Sequence, residues 1–254
     1  MEVKRSPVQG VVNIIRFNWH FYLVALLVFA LLFFALDYLS PTYQIWLRII
    51  LSVAVATTII SLLVSFYVYD LSALYKLTWL GEVLRKAPAK IVSINAGFDE
   101  TSVLLQCKFP SAELFVFDFY DPTQHTEISI KRARSAYPPF PNTQQMTTAH
   151  LPLSENAMDA AFAILAAHEI RNNEERVLFF AELRRVIKPE GQIIVVEHLQ
   201  DVANFLAYNI GFRHFHRHSV WQQTFAKAGL RLQQERKITP FISVFVLKKN
   251  GIAA

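Results

Sequence analysis

Two stretches of this 254-residue chain carry no charge at all, and they limit what it can fold into. Phe21 to Leu36 is sixteen residues long and Ile49 to Tyr69 twenty-one. As helices rising ~1.5 Å per residue they reach roughly 24 and 32 Å, against a hydrocarbon core of ~30 Å. Trp19, Tyr22 and Tyr38 flank the first run, and Tyr67, Tyr69, Tyr75 and Trp79 close the second, the aromatic anchors expected at a membrane interface. The polar turn 37–44, with Pro41 inside it, is short enough to make the two runs antiparallel neighbours. Residues 1–70 are therefore expected to form two transmembrane helices, over about 21–39 and 46–69. Ser52, Ala54, Ala56, Thr57, Ser61 and Ser65 are small enough to admit a close partner helix, which leaves room for a homodimer through the hairpin.

Charge sets the orientation. Lys4, Arg5 and Arg16 precede the hairpin and Lys76, Arg85, Lys86 and Lys90 follow it, while the loop side holds only Arg48. The positive-inside rule then puts both termini in the cytoplasm. The expectation is an integral membrane protein of a bacterial inner membrane. No A-x-A-like cleavage site follows the first run, so it does not read as a cleaved signal peptide. The net charge of +5 is thinly spread: residues 1–80 hold five basic and three acidic side chains, the remainder twenty and seventeen. No basic run exceeds two residues, so no nucleic-acid partner is expected. A mildly basic surface suits the anionic lipid bilayer beside it. The single cysteine, Cys107, excludes a disulfide framework, and seven glycines leave room only for a degenerate glycine loop.

Beyond the hairpin, Leu71, Leu74, Leu77, Leu80 and Leu84 recur at helical spacing, which predicts an amphipathic linker helix over 71–89, ended by Pro88. From residue 90 to 254 apolar strands alternate with amphipathic helices, the pattern of an α/β sheet. Strands are expected near Ile91–Ile94, Leu114–Asp118, Ala160–Leu165 and Gln192–Glu197, and helices near Thr101–Lys108, Ile128–Ala136, Glu174–Ile187 and Val220–Ala228. Leu230–Ile238 and Phe241–Leu247, around Thr239-Pro240, read as an antiparallel hairpin.

Ligands of open α/β sheets sit beyond the carboxyl ends of the strands, which makes those ends the places to read. Ile91-Val-Ser-Ile-Asn-Ala-Gly-Phe-Asp-Glu runs from a strand into a helix, and Phe115-Val-Phe-Asp118 ends in a carboxylate twenty-one residues after Gly97. An acid at that spacing reaches the ribose hydroxyls of an adenosine cofactor. Leu151-Pro-Leu-Ser-Glu-Asn-Ala-Met-Asp159 then leads into an apolar strand, and Phe180-Ala-Glu-Leu-Arg-Arg-Val-Ile-Lys-Pro-Glu-Gly191 leads from a helix into the next. In these passages residues 90–248 resemble the class I S-adenosylmethionine-dependent methyltransferases of the type-11-like kind. The resemblance implies a Rossmann-like, seven-stranded sheet with an antiparallel last strand. It also implies S-adenosyl-L-methionine as cofactor, with Asn95, Ala96, Gly97, Asp99, Asp118, Phe119 and Leu151 as the residues that bind it. In the first motif Ser93 stands for the family's acid, Asn95 for its first glycine and Asp99 for its third; Gly97 alone is kept. Asp99 and Glu100 would repel a dinucleotide's pyrophosphate but attract a sulfonium and an ammonium. Asp99 reads equally well as the cap of the helix that follows.

Charged and histidine side chains gather after the remaining strands: Asp121, His125 and Glu127; His168, Glu169 and Arg171; Glu197, His198 and Asp201. A histidine titrating near neutrality suits a general base, so His168, Glu169 and His198 are the catalytic candidates. His214, His216 and His218 alternate, but with no cysteine pair, no H-E-x-x-H and with Arg213 and Arg217 close by, no metal is expected. Phe205, Phe212, Phe215 and Trp221 read as core, as an apolar lid over the crevice or as a membrane-facing surface, and Tyr137-Pro-Pro-Phe-Pro141 as a stiff loop. Together these features predict a membrane-anchored methyltransferase acting on a lipophilic or small aromatic acceptor at the cytoplasmic face. The eroded glycine loop leaves open a catalytically degenerate domain of the same fold, serving as a binding or scaffold module.

Overall fold

A computed structural model describes residues 5–124 and 127–250; Lys4 and His125, both used above, lie outside the described residues. The chain opens with an amphipathic helix, α1 (Gln9–Phe17), that the sequence reading does not contain. It is followed by α2 (Trp19–Ala35), a tight turn over Leu36–Tyr38, and α3 (Pro41–Phe66), which widens into a π-helical turn at Tyr67–Leu71. The expected eight-residue loop shrinks because Pro41 starts α3 rather than interrupting a turn: its fixed φ and missing N–H suit the first helical position. Trp19–Tyr38 and Pro41–Leu71 are each long and apolar enough to cross a membrane by length and composition. No residue of α2 is buried, and Phe21, Leu31 and Phe34 are 65%, 70% and 71% exposed.

The linker expected as a helix over 71–89 is instead a chain of turns with one short helix, α4 (Leu80–Val83). Ser72 is extended and Leu77 takes a positive φ of 51°, so the helical spacing of the leucines is broken twice. Leu74, Leu77, Trp79, Leu80 and Val83 are all buried, packed on the sheet with Ile91, Phe162 and Ile194. Trp79 therefore serves as core and not as an interfacial anchor; its indole N–H donates to the Leu74 carbonyl at 3.1 Å.

The remainder runs β1 (Lys90–Asn95), α5 (Ser102–Lys108), β2 (Glu113–Asp118), α6 (Ile128–Ala136), β3 (Gln144–Gln145) and β4 (Met158–Ile164). It continues with α7 (Asn173–Val186), β5 (Ile187–His198), α8 (Val202–Tyr208), α9 (His218–Lys227), β6 (Leu230–Thr239) and β7 (Ile242–Lys249). One seven-stranded sheet results, in the order β3-β2-β1-β4-β5-β7-β6. β1 to β5 pair in parallel and β7 is antiparallel to both of its neighbours, as the Thr239-Pro240 hairpin predicts. Alternation along the strands sends Val92, Ile193 and Phe245 to α7 and α9, where Phe179, Phe180, Trp221 and Phe225 fill the core. Trp221 is thus interior and not part of a lid. The opposite face receives Ile91, Ile194 and Val244 and is covered by the 68–84 segment that leaves α3.

Candidate active site

The order reverses between β1 and β4, so the crevice beyond their carboxyl ends is where a ligand belongs in this topology. Asn95 and Asp118 are register partners at the ends of β1 and β2. The loop between β1 and α5 is shaped by Asp99, whose Oδ1 accepts the N–H groups of Thr101 and Ser102 at 2.9 Å each. Ser93, in place of an acid, lies buried with its hydroxyl 2.9 Å from that of Ser102. Gly97 sits at φ +92°, and a Cβ there would lie 2.9 Å from the Tyr120 ring and 3.1 Å from Ile130. Glu100 turns away toward the N-terminus, accepting from Arg5 at 2.6 Å and from the Tyr75 hydroxyl at 2.7 Å.

Asp118 is buried, and its carboxylate is already engaged. The Arg134 guanidinium from α6 pairs with Oδ2, Gln145 donates to the same oxygen at 3.3 Å, and the Tyr120 N–H donates to Oδ1 at 2.9 Å. Arg134 also stacks on the Tyr120 ring, 4.4 Å from its centroid. Asn95 Nδ2 and Asp99 Oδ2 are buried without a partner. A free donor, a free acceptor and a strand-end carboxylate fit the zwitterion and ribose of S-adenosylmethionine in kind, with Arg134 and Tyr120 as the groups that would have to move aside. Phe119 and Leu151 are core residues: Phe119 packs on Phe179, and the Leu151 N–H is held by Glu182. Ala96 is buried beside them.

A second set of side chains meets beyond β4 and β5. The turn after β4 passes through Leu165 at φ +52°, an uncommon conformation held by its N–H bond to Val196. It delivers His168 to Glu197. The His168 N–H and Nδ1–H donate to the two Glu197 oxygens at 3.1 and 2.7 Å, and its Nε2 lies 3.2 Å from Glu169 Oε1. Burial works against a charged imidazole, but the Glu197 and Glu169 carboxylates override it and push the His168 pKa up to about 10. An imidazolium at neutral pH cannot accept a proton, so in this state His168 is a held cation rather than the expected base. Burial raises the Glu169 pKa, and His168 and His214 outweigh it and hold the acid ionised.

His198 has no free nitrogen either. Its Nδ1–H donates to Asn204 Oδ1 at 3.0 Å, because the Asn204 amide is spent on Asp201 and on the Phe241 carbonyl. That tautomer leaves Nε2 to accept the Tyr69 hydroxyl at 2.8 Å. Burial lowers the His198 pKa to about 4, so the ring is neutral and is held between the end of α3 and α8. Of the three alternating histidines, only His214 joins the cluster, 3.4 Å from Glu169 Oε1 through Nε2 and 3.2 Å from Glu127 Oε1 through Nδ1. Glu197, Glu127 and His214 are thus site residues that the sequence reading names without giving them this role. Neighbours on a strand face opposite ways, so at the end of β5 Glu197 turns to His168 while His198 turns to Tyr69 and the cavity.

A cavity of about 750 Å³ opens on the second set and on Phe98, Glu100 and Thr101 of the loop after β1, while Asn95, Gly97, Asp99 and Asp118 are not among its lining residues. One end is walled by Tyr22 and Ala25 of α2 and by Thr57, Thr58 and Ser61 of α3. The other reaches Leu165, His168, Glu169 and His214, with Tyr69, Phe98 and His198 along the way.

The methyltransferase domain family matches residues 117–195. No curated protein matches the chain. Among solved structures, a Pyrococcus horikoshii OT3 protein is similar at 17% identity and a TM-score of 0.51, over 67% of this chain and 86% of that one. Human N-acetylserotonin methyltransferase, solved with S-adenosylmethionine, is similar at 14% identity and 0.51, over 77% of this chain and 56% of the human enzyme. An S-adenosylmethionine-dependent methyltransferase from Aquifex aeolicus gives 16% and 0.50, over 75% and 97%. The sheet of residues 90–249 accordingly has the class I methyltransferase fold, as the resemblance implies.

Proposed function

We propose that this chain is a membrane-anchored, S-adenosylmethionine-dependent methyltransferase whose acceptor is lipophilic. The observation that carries the reading is the cavity, which leads from between two apolar, largely unburied helices to the carboxyl ends of β4 and β5 and the loop after β1, on the side of the sheet where ligands of this topology sit. An acceptor with a hydrocarbon tail and a polar head would find both environments in one space. Thr57, Ser61 and Ser65 line that space, which gives these small residues an occupant other than a second copy of the chain. Both termini lie on the cytoplasmic side in this reading, by the distribution of basic residues.

When bound, the cofactor supplies a methyl group carried on a sulfonium. Asp118 would accept its ribose hydroxyls, and Asn95 and Asp99 would meet the methionyl end with their unpartnered atoms. Methyl transfer needs chiefly that nucleophile and methyl be held in line, so positioning by the cavity walls is the chain's main contribution. A second reading is favoured by one observation, the Arg134 guanidinium on Asp118: a crevice closed by its own side chains suits a non-catalytic module. Calorimetric titration of the detergent-purified chain with S-adenosylmethionine and S-adenosylhomocysteine separates the two. The enzyme reading expects micromolar binding that Asp118→Ala abolishes, and transfer of labelled methyl into the organic phase of a membrane extract. A folded protein that ignores millimolar cofactor would overturn it in favour of the module.

A further inference from the structure

We propose that His168, His214 and Glu169 form a binding site for a divalent transition-metal ion, with its open position facing the cavity. The three ligand atoms lie within 4.8 Å of one another. Glu169 Oε1 is 3.2 Å from His168 Nε2 and 3.4 Å from His214 Nε2. Ligands ~2.0–2.2 Å from a tetrahedral ion stand roughly 3.3–3.6 Å apart, so two edges of the polyhedron are already close to their lengths. Two imidazoles and one carboxylate, without a thiolate, make a set suited to zinc, iron(II) or manganese(II).

The surroundings are what single this cluster out. Metal-bound histidines almost always hand their second nitrogen to a carboxylate or carbonyl, which fixes the tautomer and aims the first nitrogen at the ion. His168 has such a partner, Glu197 Oε2 at 2.7 Å from Nδ1, and Glu127 Oε1 stands 3.2 Å from His214 Nδ1 as the partner that nitrogen would take once Arg171 swings away. Glu197 is fully buried, and among the described residues His168 is the cation paired with it. Arg171 lies against the exposed edge of His214, with Nη2 2.5 Å from Nδ1 and 3.1 Å from Nε2 and 3.8 Å from Glu127. Three carboxylates against one guanidinium leave two negative charges when both imidazoles are neutral, and a divalent ion balances them. Arg171 is 44% exposed and can shift onto Glu127 alone as the ion enters.

This proposal departs from the expectation of no metal, which weighed His214, His216 and His218 as a set. His216 Nε2 accepts from the buried Arg176 at 3.1 Å, and His218 pairs with Glu235 at 2.7 Å. Only His214 of the alternating run is a ligand, and its partners come from 45 and 46 positions earlier in the chain, where no sequence motif would link them. The open position faces the cavity, so the ion would grip an oxygen of the acceptor's head group: a hydroxyl, enol or catechol. Bound oxygen acids lose their proton more readily, which is the activation an ion there would supply.

The test needs no methyl donor, so its failure is separate from failure of the methyltransferase reading. The full chain in detergent, stripped with a chelator, is titrated with Co²⁺ as a spectroscopic probe and then with competing Zn²⁺. One equivalent should bind, with visible d–d absorption displaced by zinc. His214→Ala should weaken binding by at least ~100-fold, and the outer-sphere variant Glu127→Gln, at a half-exposed position, by about 10-fold. His218→Ala, outside the cluster, should leave it unchanged. Circular dichroism checks that each variant is folded. No binding to the folded wild-type chain at millimolar Co²⁺, or binding indifferent to both His214→Ala and Glu127→Gln, overturns the proposal.

Discussion

Glu182 gathers three hydrogen bonds: Arg185 Nε donates to Oε1 at 2.9 Å, and Arg185 Nη2 and the Leu151 N–H to Oε2 at 2.8 and 3.0 Å. Arg185 then donates onward to the carbonyls of Leu151 and Leu153 at 2.8 Å each. This is the physical content of two passages that look unrelated in the sequence: the Glu-Leu-Arg-Arg helix pins the Leu-Pro-Leu turn. The Arg185 bond leads the causes that lower the Glu182 pKa. A carboxyl depressed in the folded state stabilises above its unfolded pKa and loses that contribution as pH falls. Glu182→Gln should therefore cost about 1 kcal/mol at pH 7. The gap in melting temperature from wild type should begin to narrow below roughly pH 4 and go on closing as pH falls through the lowered folded-state value. A gap that does not narrow at all on acidification would assign the loss to shape rather than charge. Arg134 makes the opposite kind of prediction. Removing it leaves Asp118, 2% exposed, without its cation, so the free protein loses stability that ribose hydroxyls can partly restore. Arg134→Ala should lower the melting temperature and tighten S-adenosylmethionine several-fold by calorimetry; weaker binding would make Arg134 a contact of the cofactor instead of its competitor.

At the scale of elements, α1 is fastened by a residue it does not contain. The N–H groups of Gly10 and Val11 donate to the Asp70 carboxylate at 2.6 and 2.9 Å, so the turn ending α3 caps α1. The approach is so close that a Cβ on Gly10 would lie 2.4 Å from that of Tyr69. Gly10→Ala must push α1 outward and loosen the Arg5 and Gln9 bonds to Glu100, for about 1–3 kcal/mol. Limited proteolysis near the N-terminus should accelerate, while Gly81→Ala, with nothing within 4 Å, should not change it. None of this was legible in the sequence, because the contacts bridge sixty residues and α1 carries no cap of its own. What was legible is what period and composition determine: the five main strands, α5, α6, α7 and α9, the reversed β7 and the two apolar spans. The linker failed for a related reason. Leu74, Leu77 and Leu80 recur as on a helix, yet a series of turns buries all three just as completely on the sheet. Periodicity reports which side chains must be hidden and leaves open the backbone that hides them. Asp118 and Asp99 were found by their place at strand and helix ends, but the Arg134 partner, sixteen residues on, has no local signal.

For the whole molecule the question is whether, in the membrane-anchored enzyme proposed above, the hairpin is only an anchor. An anchor needs length and apolar surface, which α2 and α3 both have; it does not need a cavity running from Tyr22 and Ser61 to His168. If the acceptor's tail lies between the helices, filling that space should separate tail recognition from every other step. Ser61→Phe adds a ring to the wall of the cavity, which Asp118 and Asn95 do not line. The variant should fold, insert and bind S-adenosylmethionine like wild type. Transfer of labelled methyl to acceptors in a membrane extract should fall at least ~10-fold, since a blocked site forfeits the apolar burial of several methylenes at ~0.8 kcal/mol each. Native mass spectrometry from mild detergent should at the same time lose any lipid that copurifies with the wild-type chain. Undiminished transfer by Ser61→Phe would confine the acceptor to the strand-end half of the cavity and reduce the hairpin to a tether. Loss of cofactor binding together with transfer would instead mean that α3 and the β1 loop move as one body through Tyr75 and Glu100, and that the membrane segment holds the cofactor site in shape.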